Sequence, residues 1–266
     1  MAMKGLIRNS RVKRGILGIL RNGGRVSGDA MAAELDVSRV AVWKHVRELI
    51  ALDYTIDSSR KGYTLLSEPG EPYPWELDVR SYYLLKASST MDVAGKLAEN
   101  GEPEWTFVIA REQTSGRGRR GSRWESRRGG LYFSVILRPD MRLADVSELL
   151  PPTLDAVVRT LSRYGASAET RGCGVYVEGK KAAGVLVEAT GELDRVRYAL
   201  IGVGLNVSNP VPADAVSLAD VLGHAPTLLE VSKVLFSELR KSLGTFLKGR
   251  TEVESDAESG EPLARL

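Results

Sequence analysis

The order of apolar and polar positions in the first quarter of the chain predicts three short helices. Apolar residues three or four positions apart mark the first helix, at Val12, Ile16, Ile19 and Leu20. The second helix follows Ser27 and the third follows Ser38, because serine is a favoured N-cap residue. The third helix, RVAVWKHVRELI, has one apolar face, and we assign Trp43 to packing as well.

Alternating apolar and polar residues after the third helix predict a β-hairpin. Its strands cover residues 54–57 and 63–66, on either side of a basic tip at residues 58–62. Three helices followed by such a hairpin are typical of a winged helix-turn-helix domain, whose recognition helix enters the major groove of DNA. The residues that we expect to contact DNA are Ser38, Arg39, Lys44, Arg60 and Lys61. A winged helix that contacts another protein is the alternative.

The distribution of charge favours DNA as the partner of this first domain. The 266-residue chain has a formal net charge of only +3, but residues 1–66 contain 12 Lys and Arg against 6 Asp and Glu. We divide the chain into a winged-helix domain at residues 1–68, a stiff proline-containing linker at 69–76 and a larger domain at 77–250. Residues 251–266 are acidic and small, which predicts a disordered tail.

Strands and helices alternate irregularly in the larger domain. The predicted strands are YYLL, TFVIARE, LYFSVIL, VYV, AGVLVEA and RYALIGVGLNV, and the predicted helices lie near residues 90–100, 144–164 and 228–247. Two neighbouring strands are joined by the short turn at residues 178–181, which favours an antiparallel pair. A mixed or antiparallel sheet is therefore expected instead of a doubly wound parallel one, and the fold class is α+β.

A glycine- and arginine-rich loop, GRGRRGSRW, occupies residues 116–124. Glycines let backbone N–H groups converge on an anion, arginines supply bidentate charge, and the indole of Trp124 can stack on a purine. The loop lacks Walker spacing and opens no helix of a βαβ unit, so the P-loop and Rossmann interpretations fail. A nucleotide phosphate ester is therefore the expected ligand. A solvated basic loop that contacts RNA, or nothing, is the alternative.

Several segments, in the same order along the chain, resemble the biotin protein ligases. They are Ser89-Thr90-Met91-Asp92, Gln113 with the GRGRRGSRW loop, GKKAAGVLVE and GVGLNV. The segments SRVAVWKHVREL and KGYTLL resemble the winged-helix domain of those ligases that also act as biotin operon repressors. The resemblance implies the sheet-and-helix fold shared by biotin and lipoate ligases and, more distantly, by class II aminoacyl-tRNA synthetases.

The resemblance also implies roles for individual residues. Those implied to bind biotin are Ser89, Thr90, Gln113, Gly116, Arg117, Gly184 and Leu186. Those implied to bind the adenylate are Arg119, Arg120, Trp124 and Asn206. Lys181 and Arg119 are implied to be catalytic, with Lys181 between the biotin carboxylate and the α-phosphate of ATP, where repulsion between two anions has to be neutralised. The implied ligands are biotin and ATP with Mg²⁺, or biotinyl-AMP, with no permanently bound cofactor and no protein metal ligand.

Two departures from the family pattern bear on activity. The ligases carry Lys-Trp-Pro-Asn-Asp where this chain has residues 169–175, so that Cys173 and Gly174 stand at the Asn and Asp positions. The small SH3-like domain that usually follows in the family is not apparent after the last predicted helix. Losing a carboxylate near the triphosphate weakens adenylation more than biotin binding. A ligase-inactive biotin sensor, and a ligase for lipoate or another carboxylic acid, therefore stay open.

The remaining features of the sequence predict a soluble, cytoplasmic protein. No apolar run approaches the roughly 20 residues of a membrane span, and the N-terminal segment lacks the apolar core of a signal peptide. One cysteine and two histidines exclude a disulfide framework and argue against a zinc site. The expected partners are operator DNA, a biotin carboxyl carrier protein if the ligase is active, and a second copy of the chain in a ligand-promoted dimer. The expected function is biotin-responsive regulation of transcription, with or without ligase activity.

Overall fold

A computed structural model describes residues 5–259, and the predicted three-helix domain is present in it. Its helices are α1 (Arg11–Arg21), α2 (Gly28–Leu35) and α3 (Arg39–Ile50). Ser27 and Ser38 are the N-caps of α2 and α3, and each hydroxyl accepts the N–H of the residue three positions later at 3.1 Å. The apolar face of α3 is buried, which leaves its opposite face in solvent.

The predicted hairpin is an antiparallel pair of strands, β1 (Thr55–Ser59) and β2 (Gly62–Ser67). Tyr63 exchanges two backbone hydrogen bonds with Val26, at 2.8 and 3.0 Å, so the wing is tied to the segment between α1 and α2. Three helices and a docked hairpin confirm the winged helix-turn-helix fold.

The larger domain is built on one seven-stranded sheet. Its strands are β3 (Ser81–Leu84), β4 (Thr106–Ala110), β5 (Leu131–Leu137), β6 (Ala168–Arg171), β7 (Gly174–Val177), β8 (Lys180–Glu192) and β9 (Arg195–Leu205). They lie in the order β3-β4-β5-β9-β8-β7-β6. Only β3 and β4 are parallel to each other, and the other neighbouring pairs are antiparallel. This mixed sheet confirms the α+β class.

Helices cover both faces of the sheet. They are α4 (Thr90–Glu99), α5 (Leu150–Arg163), α6 (Leu218–Leu222) and α7 (Leu228–Ser259). The apolar residues of α4 form one cluster with β4, β5 and β9. On the other face lie α5 and α7, where Phe236 of α7 stacks on Phe107 of β4 with ring centroids 4.2 Å apart. Helix α4 covers β4, β5 and β9 on its face of the sheet, whereas β8 is partly open to solvent.

The segment that was predicted to be a stiff linker is buried between the two domains. Tyr73 and Trp75 stack with ring centroids 5.1 Å apart, and both side chains are buried. Arg111, at the end of β4, donates to the Tyr73 hydroxyl at 2.8 Å and is ion-paired with Glu71 at 3.3 Å. Arg111 also pairs with Asp53 of the winged-helix domain at 3.2 Å. A single apolar core therefore runs from the winged helix through this junction into the sheet.

Several elements differ from the sequence prediction. Helix α6 was not predicted, and α5 begins at Leu150 instead of near residue 144, because residues Leu143–Leu149 form a 3-10 helix. Strand β6 was not predicted, because its sequence AETR is short, polar and mostly exposed and has no apolar alternation. Helix α7 continues to Ser259 instead of ending near Leu247, and its last residues include glutamates and alanine, which favour helix. Residues 260–266 of the predicted disordered tail lie outside the described residues. Across residues 5–259, no helix is both long and apolar enough to cross a bilayer.

Candidate functional site

One open cavity gathers most of the residues that were predicted to bind ligand. It lies between the start of α4, the loop at residues 116–124 and the strands β8 and β9. Predicted site residues in its lining are Ser89, Thr90, Gln113, Arg117, Arg119, Trp124, Lys181, Gly184 and Leu186. The hydroxyl, amide, cationic and aromatic side chains that converge on it are of the kinds that bind small polar ligands.

The start of α4 gives this cavity a buried polar corner. Ser89 is the N-cap of α4, and its Oγ accepts the Met91 N–H at 3.2 Å. The Thr90 N–H donates to Gln113 Oε1 at 2.7 Å, and Gln113 Nε2 donates to Ser126 Oγ at 2.8 Å. These bonds fix the orientation of the Gln113 amide. Hydroxyl and amide groups that both donate and accept suit a neutral polar ligand.

Ser134 belongs to this corner and was missed by the sequence analysis. Its Oγ donates to Thr90 Oγ1 at 2.8 Å, and the side chain is completely buried. The available signal was a single hydroxyl within the apolar strand LYFSVIL, since a buried polar group needs a partner. Ser134 holds the Thr90 hydroxyl in place.

The glycine- and arginine-rich loop folds back on itself as a short hairpin. The Trp124 N–H donates to the Gly116 carbonyl at 2.9 Å, and the Gly118 N–H donates to the Ser122 carbonyl at 2.8 Å. A Cβ at Gly116 would lie 2.5 Å from the Trp124 carbonyl oxygen, so no side chain fits there. Gly116 therefore shapes the loop and does not itself line the cavity.

The arginines of the loop occupy different positions. Arg117 lines the cavity and pairs with Asp92 at 3.2 Å and with Glu188 at 3.1 Å. Arg119 also lines the cavity. Arg120 lies at the hairpin tip with φ of 54° and is not part of the lining of this cavity or of its neighbour beyond Trp124. Two of the three predicted arginines are thus brought to the cavity.

Trp124 forms the wall between this cavity and a second one. Its ring packs against the backbone of Gly184 and Gly204, where a Cβ would lie 2.9 and 2.3 Å from ring atoms. The indole nitrogen is buried and has no hydrogen-bond partner among the described residues. A buried donor without a partner costs about 1–3 kcal/mol, so an acceptor on a ligand would stabilise it. Lys181 Nζ lies 5.2 Å from the ring centroid, within cation–π distance.

A second open cavity lies on the other side of Trp124. It shares Arg123, Trp124 and Lys181 with the first cavity. Asn206, predicted to meet the adenylate, is in its lining and donates to the Lys181 carbonyl at 3.3 Å. Asn209 donates in turn to Asn206 Oδ1 at 3.1 Å. The cationic side chains of Arg123 and Lys181 therefore lie at the border between the two cavities.

Cys173 and Gly174 lie beside the first cavity, and Cys173 is part of its lining. A Cβ at Gly174 would lie 2.8 Å from the Tyr176 ring and 3.3 Å from Lys181 Cε. Neither position supplies a carboxylate. Within the part of the chain that the structure describes, no three His, Cys, Asp or Glu residues come together as a possible metal site.

The residues predicted to contact DNA lie on α3 and on the wing. Arg39 and Lys44 are exposed on α3, and Arg60 and Lys61 are exposed in the turn of the wing. Arg39 also pairs with Asp29 at 3.3 Å. Ser38 lies at the start of α3, where its hydroxyl caps the helix.

The assignment of Trp43 to packing is wrong, because its side chain is 50% exposed. The buried residues of α3 are Val42, Val46 and Leu49, and position 43 lies to one side of this buried face, where it meets solvent. Apolar character alone suggested burial, whereas the helical period puts this ring beside Lys44. Arg47 lies over the indole, with its guanidinium carbon 5.3 Å from the ring centroid.

Comparison with known proteins agrees with this fold. Residues 85–206 match the Biotin/lipoate A/B protein ligase family, and residues 13–64 match the HTH domain family. The bifunctional ligase/repressor BirA of Bacillus subtilis is 36% identical over 216 residues, which are 75% of this chain and 66% of that protein. The BirA protein of Escherichia coli is 29% identical over 219 residues, which are 76% of this chain and 65% of that protein. The chain thus spans just under two thirds of the length of these relatives.

A solved structure gives the same result for the larger domain. The biotin protein ligase from Aquifex aeolicus in complex with biotin and ATP matches with a TM-score of 0.53 and 28% identity, over 64% of this chain and 72% of that chain. Fold and site together define a ligase-type α+β domain joined to a winged helix-turn-helix domain. Residues 85–206 belong to the biotin/lipoate A/B protein ligase family, and the chain is homologous to the bifunctional ligase/repressors.

Proposed function

We propose that this protein is a biotin-responsive regulator of transcription. Its larger domain binds biotin and biotinyl-AMP, and its winged helix binds operator DNA. The observation that carries the proposal is the pair of cavities that share Arg123, Trp124 and Lys181. The first has a polar corner that suits a neutral ring, and the second, bordered by Arg123 and Lys181, is the proposed place of the nucleotide. The homologous ligase/repressors and the Aquifex ligase in complex with biotin and ATP support these ligands.

In the proposed adenylation, an oxygen of the biotin carboxylate attacks the α-phosphorus of ATP. The bond from that phosphorus to the bridging oxygen breaks, pyrophosphate leaves, and the mixed anhydride biotinyl-AMP remains. Both reactants are anions, so fixed cations between them lower the barrier. Lys181 lies at the border of the two cavities, and Arg119 adds a second positive charge from the loop. In a ligase, a lysine amine of a carrier protein then attacks the anhydride carbonyl, an amide forms and AMP leaves.

Magnesium accompanies ATP in this chemistry, and the phosphates with one or two protein carboxylates usually hold it. Glu125 and Asp214 are the acidic side chains in the lining of the second cavity. Position 174 is glycine, and the described residues bring together no three His, Cys, Asp or Glu side chains as a metal site. We therefore assign no step to a protein-bound metal. Neutralisation of the phosphates is assigned to Lys181 and the arginines of the loop.

A ligase-inactive biotin sensor is the second candidate function, and Gly174 is the observation that favours it. The double variant Cys173→Asn, Gly174→Asp restores an amide and a carboxylate beside the first cavity. If their absence limits adenylation, this variant releases pyrophosphate faster than the natural chain. The Tyr176 ring has to shift, because a Cβ at position 174 would lie 2.8 Å from it. Equal rates would mean that the ATP site works without these side chains.

We propose that Asp53 couples ligand binding in the larger domain to the winged-helix domain. This residue follows α3 and pairs with Arg111 at 3.2 Å. It also pairs at 3.0 Å with Arg128, the last residue of the segment 116–128, which we call the ligand loop. An anionic adenylate would offset the entropy and charge repulsion that oppose ordering of the loop. The ordered loop would complete a surface for a second copy of the chain. A dimer would then space two recognition helices by about one duplex turn on a two-fold symmetric operator. The proposed location is the cytoplasm.

The test is incubation of the full chain with radiolabelled biotin and Mg-ATP, followed by separation of the products. Retained biotinyl-AMP identifies adenylation, label on an added carrier protein identifies ligase activity, and retained biotin alone identifies a sensor. The variant Lys181→Ala should lose the adenylate. A parallel incubation uses radiolabelled lipoate in place of biotin. Retention of lipoate but not of biotin would favour the lipoate alternative. Retention of neither acid would contradict the proposal.

A further inference from the structure

The outer face of α3 carries exposed apolar side chains among cations. Val40 is 72% exposed and Trp43 is 50% exposed, and one helical turn further on the same side lie Lys44 and Arg47. Burial of Val42, Val46 and Leu49 fixes which face of the helix points outwards. We call Val40 and Trp43 the apolar reading pair. Exposed apolar area is unfavourable in water, so covering this pair with a partner lowers the free energy.

The charges around the pair fit a polyanion. Arg39, Lys44 and Arg47 surround it on α3, and the wing adds Arg60 and Lys61. Among residues 5–259, Asp29 is the one carboxylate that forms an ion pair with these cations, with Arg39 at 3.3 Å. An apolar centre within a cationic rim matches the major groove, where phosphates flank the grooves and the 5-methyl group of thymine is an apolar projection.

We propose that Val40 and Trp43 select thymine by contact with its 5-methyl group. This inference rests on the proposed binding of operator DNA. It goes further by naming the base, thymine, that the first turns of α3 contact in each half-site. These turns hold the positions that reach base edges in helix-turn-helix proteins. The arginine stacked on the indole, Arg47, holds the ring over the groove and leaves its own charge for phosphate. Lys44 supplies affinity that does not depend on sequence.

The experiment starts with selection of duplexes from a random pool by the full chain, in the presence of biotinyl-AMP. Each thymine of the selected half-site is then replaced by deoxyuridine, which removes only the methyl group. At two positions this replacement should weaken binding by about fourfold each, the value of one buried methyl-sized group. The variants Val40→Ala and Trp43→Ala should each abolish the penalty at one of these positions.

Ile50→Ala is the matched control, because Ile50 is also an exposed apolar residue of α3, at 41%, but lies at its C-terminal end. It should keep both deoxyuridine penalties. Lys44→Ala should weaken binding to every duplex alike and keep the penalties as well. Unchanged thermal unfolding of all four variants checks that these surface changes leave the fold intact.

The outcomes separate the inference from the function on which it rests. If no duplex binds above the random pool, operator binding itself is wrong. If a sequence is selected but deoxyuridine is tolerated everywhere, or if the penalties persist in Val40→Ala and Trp43→Ala, the reading pair does not contact thymine. If Trp43→Ala leaves the affinity for the operator unchanged, the inference is overturned, and this face is assigned to a protein partner.

Discussion

Trp124 is the central residue of the site, because it packs on Gly184 and Gly204 and separates the two cavities. We predict that Gly204→Ala abolishes tight ligand binding. The added Cβ would lie 2.3 Å from the indole nitrogen, so the ring has to leave its place. Calorimetry should show at least a tenfold loss of affinity for biotinyl-AMP, about 1.4 kcal/mol or more.

Gly18→Ala is the control for this prediction, because nothing lies within 4 Å of a Cβ at Gly18. This residue is in the middle of α1, where alanine favours the helix over glycine by about 1 kcal/mol. The control should bind ligand like the natural chain and unfold at a slightly higher temperature. Unchanged ligand affinity of Gly204→Ala would mean that the position of the indole does not matter for binding.

Single residues could be predicted from the sequence where a motif fixes their neighbours. Motif order brought Ser89, Gln113 and Lys181 to one cavity, although these residues are far apart in the chain. No motif includes Ser134, which reaches the site because β5 passes beneath α4. Trp43 was misplaced because apolar character was weighed above its position in the helical period.

At the scale of elements, the buried junction between the domains has a cluster of tyrosines. Burial raises the pKa of Tyr73 to about 12, although the Arg111 guanidinium opposes this shift. Burial also raises the pKa of Tyr54 and Tyr83, with a further rise from hydrogen bonds to Glu76 and Glu71. Each folded pKa is above the unfolded value of about 10. Their contribution to stability is therefore complete below about pH 10 and is lost as the pH rises towards the folded pKa values.

We therefore predict that the free energy of unfolding falls steeply between pH 10 and pH 11. Tyr73→Phe should show a shallower fall, by about 1 kcal/mol at pH 11, because one ionisable ring has been removed. Urea denaturation of both proteins at pH 8, 10 and 11 measures the difference. A decline that is parallel in the two proteins would mean that Tyr73 is not held neutral by the fold.

Elements with a strong period or a cap were predictable, and those fixed by tertiary pairing were not. The three helices of the first domain have apolar faces and serine caps, and they form as predicted. Strand β6 has four residues, AETR, and is a strand because β7 offers it an edge to pair with. The junction at residues 71–77 resembles a proline-rich linker in sequence, but its tyrosines and tryptophan bury it between the two domains.

At the scale of the whole molecule, Asp53 connects the winged helix with the ligand loop and with β4. We predict that Asp53→Asn weakens the effect of biotinyl-AMP on operator affinity by about three- to fivefold, since two half-exposed ion pairs are worth about 1 kcal/mol together. Asparagine tolerates the φ of 70° at this position. Gel shifts with and without the ligand give the ratio of affinities.

The control for this prediction is Asp78→Asn. Asp78 pairs with Arg14 across the same junction at 3.0 Å but has no ion pair with the ligand loop among the described residues. It should leave the effect of the ligand on operator affinity unchanged. An equal loss in both variants would indicate general loosening of the junction, and no loss in Asp53→Asn would remove this residue from the proposed connection.

The central claim is that the two cavities hold biotin and its adenylate, with Lys181 between them. Calorimetric titration of the full chain with biotin and with a non-hydrolysable biotinyl-AMP analogue tests it most directly. The account predicts binding of both, with Lys181→Ala weakening the analogue by about 2–3 kcal/mol through loss of charge-assisted contacts and affecting biotin less. Absence of heat with either ligand at high micromolar protein, or equal affinities of the natural chain and Lys181→Ala for the analogue, would contradict it.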